Sequence, residues 1–166
     1  MAEDTIPRTK RDGTLTISDN AAAHSLIIAI EAGDLSVTIN GETITNVLDR
    51  GKFPAGAPYL RYADDQPITF SFTAVLRELS DAAEATLSQF LTMGGFVGST
   101  WVTTMGATGE VDVFTFVWAV EGTDHGSADH TFTLPYSRFT GSISEGDPNI
   151  ISISGTSYSN RPTSIS

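Results

Sequence analysis

Apolar residues recur at every second position in several segments of the chain, which is the pattern of strands with one buried face. Ile68, Phe70 and Phe72 fall on one side of the segment Ile68–Arg77, with Thr69, Ser71 and Thr73 on the other. Further candidate strands are Thr14–Ser18, the β-branched run Ser25–Ala32, Trp101–Thr104, Thr131–Leu134, Phe139–Ser144 and Ile150–Gly155. Leu35–Ile39 and Glu42–Val47 flank Asn40-Gly41, a pair that supplies the positive backbone angles of a type I′ turn and so predicts a hairpin. Glu110–Val120 differs in being apolar on both sides. Val111, Val113, Val117 and Ala119 lie on one face and Phe114, Phe116, Trp118 and Val120 on the other, so this strand is expected at the centre of the fold or beneath a partner.

Only one segment changes period. Ala83, Leu87, Phe90 and Leu91 recur at helical spacing, Ser80-Asp81 with Glu84 offers a start, and Gly94-Gly95 a stop. Leu48 to Gln66 breaks both periods with Gly51, Pro54, Gly56 and Pro58, yet it carries Arg50, Lys52, Phe53, Tyr59, Arg61 and Tyr62. A loop that long is usually functional, and arginine with aromatics is the composition of an interface. The chain thus reads as mainly β with one helix. Residues 1–13 form a polar N-terminal arm, 14–157 one domain, and the Ser-rich residues 158–166 a C-terminal arm.

Composition sharpens this picture at three points. Charged residues are 17% of the 166, fewer than the usual quarter, which leaves much neutral Ser, Thr, Gly and Ala surface that is cheap to desolvate against another subunit. Net charge is −11 and is uneven: residues 1–61 hold six basic and eight acidic side chains, residues 62–166 three and twelve. A body so acidic does not grip phosphates. There is no cysteine, so disulfides and cysteine-bound zinc are excluded. The first residues lack the apolar stretch of a signal peptide and no run is long enough to span a bilayer, which predicts a soluble product of the cytoplasm with no membrane partner.

Candidate chemistry is sparse. Gly94 to Thr100 has the glycines of a phosphate loop but lacks the lysine before Ser/Thr, so it reads as a helix stop. Asp124-His125 and Asp129-His130 place two histidines five apart in a turn, not at the helical spacing of a zinc site, and His24 has no evident partner. Asp64-Asp65 are adjacent on an extended segment and point apart. No nucleophile motif stands out. No metal, cofactor or catalytic residue is expected.

The closing segment is the most telling. Phe139-Thr-Gly-Ser-Ile-Ser-Glu-Gly-Asp-Pro-Asn-Ile-Ile-Ser-Ile-Ser-Gly-Thr-Ser-Tyr158, followed by Arg161-Pro162, resembles the last strands of tail tube proteins of long-tailed bacteriophages. So does the order upstream: Arg50-Gly51-Lys52, then Asp64-Asp65-Gln66-Pro67 leading into Ile68–Thr73, a helix and paired strands. The resemblance covers about residues 14–162. It implies a β-sandwich or partial barrel with one flanking helix and a long projecting loop. It also implies a structural virion protein, not an enzyme, made in the host bacterial cytoplasm. Six copies would form a ring, and stacked rings a hollow tail tube through which DNA passes. The partners implied are further copies, the tape-measure protein and DNA in the lumen, and the tail terminator and distal tail proteins.

On this reading Arg50, Lys52, Phe53, Tyr59, Arg61 and Tyr62 make contacts between subunits or rings, helped by the arms. Carboxylates line the bore so that DNA, with one charge per about 1.7 Å of axis, slides without sticking; Glu110, Asp112, Glu121 and Glu145 are the candidates. Two other classes compete. A glycan- or receptor-binding β-sandwich would use Trp101, Tyr59 and Tyr62 as a sugar platform, and a hydrolase would assemble a triad from distant residues.

Overall fold

A computed structural model of the chain describes residues 13–20, 23–28, 35–48, 50–52, 59–79, 81–105, 111–120 and 130–165. The predicted N-terminal arm lies outside these residues but for Gly13. The fold is mainly β. The strands are β1 (Gly13–Ser18), β2 (Ser25–Ile28), β3 (Ser36–Thr38), β4 (Glu42–Val47), β5 (Tyr59–Asp65), β6 (Ile68–Val75), β7 (Phe114–Val120), β8 (His130–Ser144), β9 (Ile150–Ser157) and β10 (Ser164–Ile165). Two short helices, α1 (Leu87–Thr92) and α2 (Gly95–Thr100), lie between β6 and β7. Eight strands form one antiparallel sheet in the order β2-β1-β7-β8-β9-β6-β3, with β10 added beside β8. β4 and β5 pair only with each other, as a separate ribbon.

The large sheet is folded over itself. β6 and β7 are three strand spacings apart, about 14 Å in a flat sheet. Yet the Phe70 and Phe116 rings stack with centroids 4.4 Å apart. The corner is made by β8, whose fifteen residues serve both halves. Its first part pairs with β7 through Leu134↔Phe116, and its second part pairs with β9 from Ser137↔Ser157 onward. Between them Pro135 and the left-handed Tyr136 (φ 51°) turn the strand, opposite a bulge at Phe114/Phe116. A strand that switches sheets through a bend is the usual way a sandwich turns its corner. Two hydroxyls tie the bend down: Ser137 Oγ donates to the Leu134 carbonyl (3.0 Å) and Ser157 Oγ to the Pro135 carbonyl.

The inner faces hold the core. Leu15, Ile17, Ile68, Phe70, Phe72, Phe116, Leu134, Phe139, Ile151 and Ile153 are all buried there, as their period of two predicts. Gly155 stands opposite Phe70 in the β6–β9 ladder, and a Cβ there would lie 2.0 Å from the Phe70 ring, so the ring fills the space a side chain would take. The helices close the open end of the sandwich. Phe90 of α1 meets Phe114 (5.4 Å), Phe139 (5.8 Å) and Trp101 (4.9 Å) edge-on or tilted, arrangements that favour aromatic pairs.

Several expectations are corrected here. Asn40-Gly41 does not join a β3–β4 hairpin: β3 pairs with β6 and β4 with β5. Gly41 does take positive φ (67°), but as a corner where the chain leaves the sheet. The second half of the expected loop, Tyr59–Asp65, is a strand. The single helix is two, and the first starts at Leu87, six residues after Asp81. The Asp81 carboxylate instead accepts from the amides of Ala83 and Glu84 in a preceding turn. Helix α1 opens at Thr86, whose amide donates to the Gln89 side chain (3.3 Å), the back-reaching half of a capping box. β7 begins at Phe114 and buries one face, Phe114 and Phe116; Val117 and Ala119 on the other are half-exposed. The C-terminal segment runs back across the domain and ends with β10 paired to β8 at Ser164↔Thr133.

Candidate assembly interface

The β4–β5 ribbon is built by cross-strand pairs Ile44↔Tyr62, Thr45↔Arg61, Asn46↔Leu60 and Val47↔Tyr59. Alternation puts Ile44, Leu60 and Tyr62 on one of its faces and Thr45 and Arg61 on the other. Described side chains on both faces are exposed, Tyr62 to 76% and Ile44 to 58%. The ribbon therefore stands clear of the sandwich. Its base is fastened instead. Gln66 N donates to the Gly41 carbonyl (2.9 Å) and Asn40 Nδ2 to the Pro67 carbonyl (3.1 Å). From the C-terminal segment, Asn160 Nδ2 reaches Glu42 Oε1 (3.1 Å) and Asp65 Oδ1 (3.0 Å), and Arg161 pairs with Glu42 (3.1 Å).

Of the six predicted contact residues, Arg61 and Tyr62 lie side by side in β5 on opposite ribbon faces, and Tyr59 occupies the β5 position opposite Val47. Arg50 and Lys52 are exposed just beyond β4. Phe53 lies outside the described residues. Of the predicted bore residues, Asp112 is exposed in the segment leading into β7 and Glu145 is exposed in the turn between β8 and β9; Glu110 and Glu121 lie outside the described residues. None of the four stands on a described sheet face.

What the sheet faces carry instead is unusual for a solvated antiparallel sheet, where charged residues ordinarily alternate outward. Among the described strands of the large sheet, Arg138 is the only Lys, Arg, Asp or Glu. Outside β6, β9 and β8 the surface is rows of hydroxyls: Ser36↔Ser71↔Ser154↔Thr140, and beside it Thr38↔Thr69↔Thr156↔Arg138. Outside β2, β1 and β7 it is more apolar, in the row Ile27↔Thr16↔Val117↔Thr133. The sequence signalled this surface only through its low charge content.

Two further features were missed. A groove of about 280 Å3 opens between β2, the end of β6 and the start of α1. Its walls come from segments far apart in sequence, so no local pattern announces it. The other is a buried carboxylate. Asp19 is enclosed at the turn after β1 and accepts from the amides of Ala23 (3.0 Å) and His24 (3.3 Å) and from His24 Nδ1 (2.9 Å). Burial pushes its carboxyl up, but the hydrogen bonds from His24 and from the Val102 backbone outweigh it and hold the group below its ordinary value. His24, which the sequence left without a partner, also stacks on Trp101 (6.1 Å). Trp101 itself is in the core, which removes it from any sugar platform. Among the described residues no three His, Asp or Glu side chains gather as metal ligands, and no helix is long and apolar enough to cross a membrane.

No family model and no curated protein matches the sequence. Solved structures do match its fold along almost the whole length. A chain in the cryo-EM structure of the anti-feeding prophage (AFP) baseplate, 6-fold symmetrised, is similar with a TM-score of 0.53 at 10% identity, over 98% of this chain and 95% of that one. A chain in the cryo-EM structure of an extracellular contractile injection system, the PVC sheath/tube terminator in the extended state, is similar with a TM-score of 0.51 at 12% identity, over 95% and 96%. At such identities the likeness shows a shared fold.

Proposed function

We propose that this protein is a structural, non-enzymatic subunit of a phage-tail-like particle, one whose copies join into rings, six to a ring, that stack as a tail tube. The observation that carries the reading is the near-complete fold match to chains of two contractile particles, one of them described with 6-fold symmetry. The sheet faces, whose described strands carry no charged side chain but Arg138, support it, since a surface with so little charge loses little on desolvation. The exposed ribbon supports it too, because a hydrophobic, unpartnered projection is a liability in a monomer. In the assembled tube the bore passes DNA, and its carboxylates come from turns such as those of Asp112 and Glu145, not from strands. The tape-measure protein, the tail terminator and the distal tail proteins are the remaining partners, and the tube is built in the bacterial cytoplasm.

A second reading has its own observation. The two solved structures described above are of a baseplate and of a terminator, so this chain could form a single ring that caps a tube. Negative-stain electron microscopy of the concentrated protein separates the two: open-ended hollow tubes of varied length support the tube subunit, and closed single rings that do not stack support the cap. A protein that stays monomeric at all concentrations overturns both.

A further inference from the structure

We infer that the β4–β5 ribbon of one copy seats in the groove between β2, the end of β6 and α1 of the next copy, so that copies stack head to tail along the strand direction. This rests on the self-assembly proposed above and adds the acceptor site to it.

The groove is suited to such a guest. Its floor is apolar, with Leu26, Ile28, Leu76 and Leu87, and its charged lining is the carboxylates of Glu78 and Glu84 beside a single cation, Arg77, for a net negative rim. The ribbon is the complement. It offers Ile44, Leu60 and Tyr62 as exposed apolar side chains, with Val47 and Leu48 toward its far end. Arg61, Arg50 and Lys52 stand on and beyond it, and none has an ion-pair partner among the described residues. Half of the six described Lys and Arg residues are thus gathered on this one projection, in a chain whose net charge is −11. Apolar area that leaves water supplies the affinity, while opposite charges at the rim fix the register and reject wrong partners.

Placement excludes the alternative that a copy fills its own groove. The ribbon base lies beside Pro67, at the start of β6, and the groove lies at Ala74–Leu76, at its end. The eight residues of β6 separate the two by about 23 Å. To reach back it would have to lie along the sheet, and its exposed faces show that it does not. Donor and acceptor on opposite ends of one molecule make a heterologous contact, which repeats without a built-in stop. That is the geometry of stacking along an axis.

The absence of native cysteine makes the test clean. Leu48→Cys places a thiol on the ribbon and Ala85→Cys one at the groove. Each variant alone, and then an equimolar mixture, is concentrated, oxidised mildly and run on a non-reducing gel. The mixture is expected to give at least tenfold more disulfide-linked dimer than either variant alone. Arg61→Glu with Lys52→Glu is expected to reduce sedimenting assemblies at least tenfold, and Glu78→Lys with Glu84→Lys in the same chain to restore them, with circular dichroism confirming that each variant is folded. Assemblies that form normally without the mixed disulfide, and that ignore the charge reversals, would overturn the groove contact and leave self-assembly standing. Wild-type protein that never assembles would overturn both.

Discussion

Asp19 is the one carboxylate buried among the described residues, and its bonds join three segments. It closes the turn after β1, orients His24, and through the neighbouring amide of Asn20 bonded to the Val102 carbonyl (3.0 Å) fixes the exit from α2. A hydrogen bond to a charged group contributes about 1.5–3 kcal/mol, so Asp19→Asn should destabilise the isolated subunit at neutral pH by roughly that much. The pH dependence follows from the sign of the shift. The folded carboxyl titrates below its ordinary value of 3.8, so its contribution is complete above that pH and is lost as pH falls through the folded value. Urea unfolding followed by tryptophan fluorescence, from pH 7 down to 2.5, is expected to show a fall below about pH 4 in the wild type that is shallower in Asp19→Asn. Equal slopes in the two proteins would remove Asp19 from the acid response.

At the scale of elements, the strands that bury one face were legible, whereas of the two ribbon strands that bury neither, β4 was read as a strand and β5 was read as loop. Ile68, Phe70 and Phe72 announce β6 because an inner face must be apolar at every second position. Tyr59–Asp65 reads Tyr-Leu-Arg-Tyr-Ala-Asp-Asp, and both faces of the ribbon are exposed, so no alternation was imposed on it. The Asn40-Gly41 motif specifies a local backbone bend; it does not specify which strands the bend will bring together. The start of α1 was misplaced for a related reason, since Asp81 caps a turn as readily as a helix. In the candidate interface, Arg50, Lys52, Arg61 and Tyr62, all exposed, were singled out by composition, whereas the groove joins residues 26 and 87 and had no local signature. The ribbon base makes its own prediction. Asn160 bridges Glu42 and Asp65, the first residue of β4 and the last of β5. Asn160→Ala should speed amide hydrogen exchange in Glu42–Val47 and Tyr59–Asp65 several-fold and leave β6, β7 and β9 unchanged, as expected of a separate cooperative unit. Uniform acceleration across the large sheet would show that the ribbon and sandwich open together.

On the scale of the whole molecule, the two outer faces of the sandwich differ, and in the assembly proposed above that difference gives them different neighbours. Both lack carboxylates on their described strands. The face of β2, β1 and β7 centres on Thr16, flanked by Ile27, 68% exposed, and by Val117. Burial of those two apolar side chains against another copy is favourable by about 25 cal/mol per Å2 removed from water. The face of β6, β9 and β8 is hydroxyls and Arg138, which gain little from burial, and in the tube proposed above it is the face turned to the bore. Thr16→Glu should then place an unpaired charge in the copy-to-copy contact, and Ser154→Glu should place one in the lumen. Both variants are expected to remain within about 1 kcal/mol of wild type as monomers, the scale of cross-strand pair effects. Thr16→Glu is expected to abolish rings and tubes in electron micrographs, and Ser154→Glu to leave them intact. The reverse outcome would exchange the two faces, making the hydroxyl rows the contact and the Thr16 row the exposed wall.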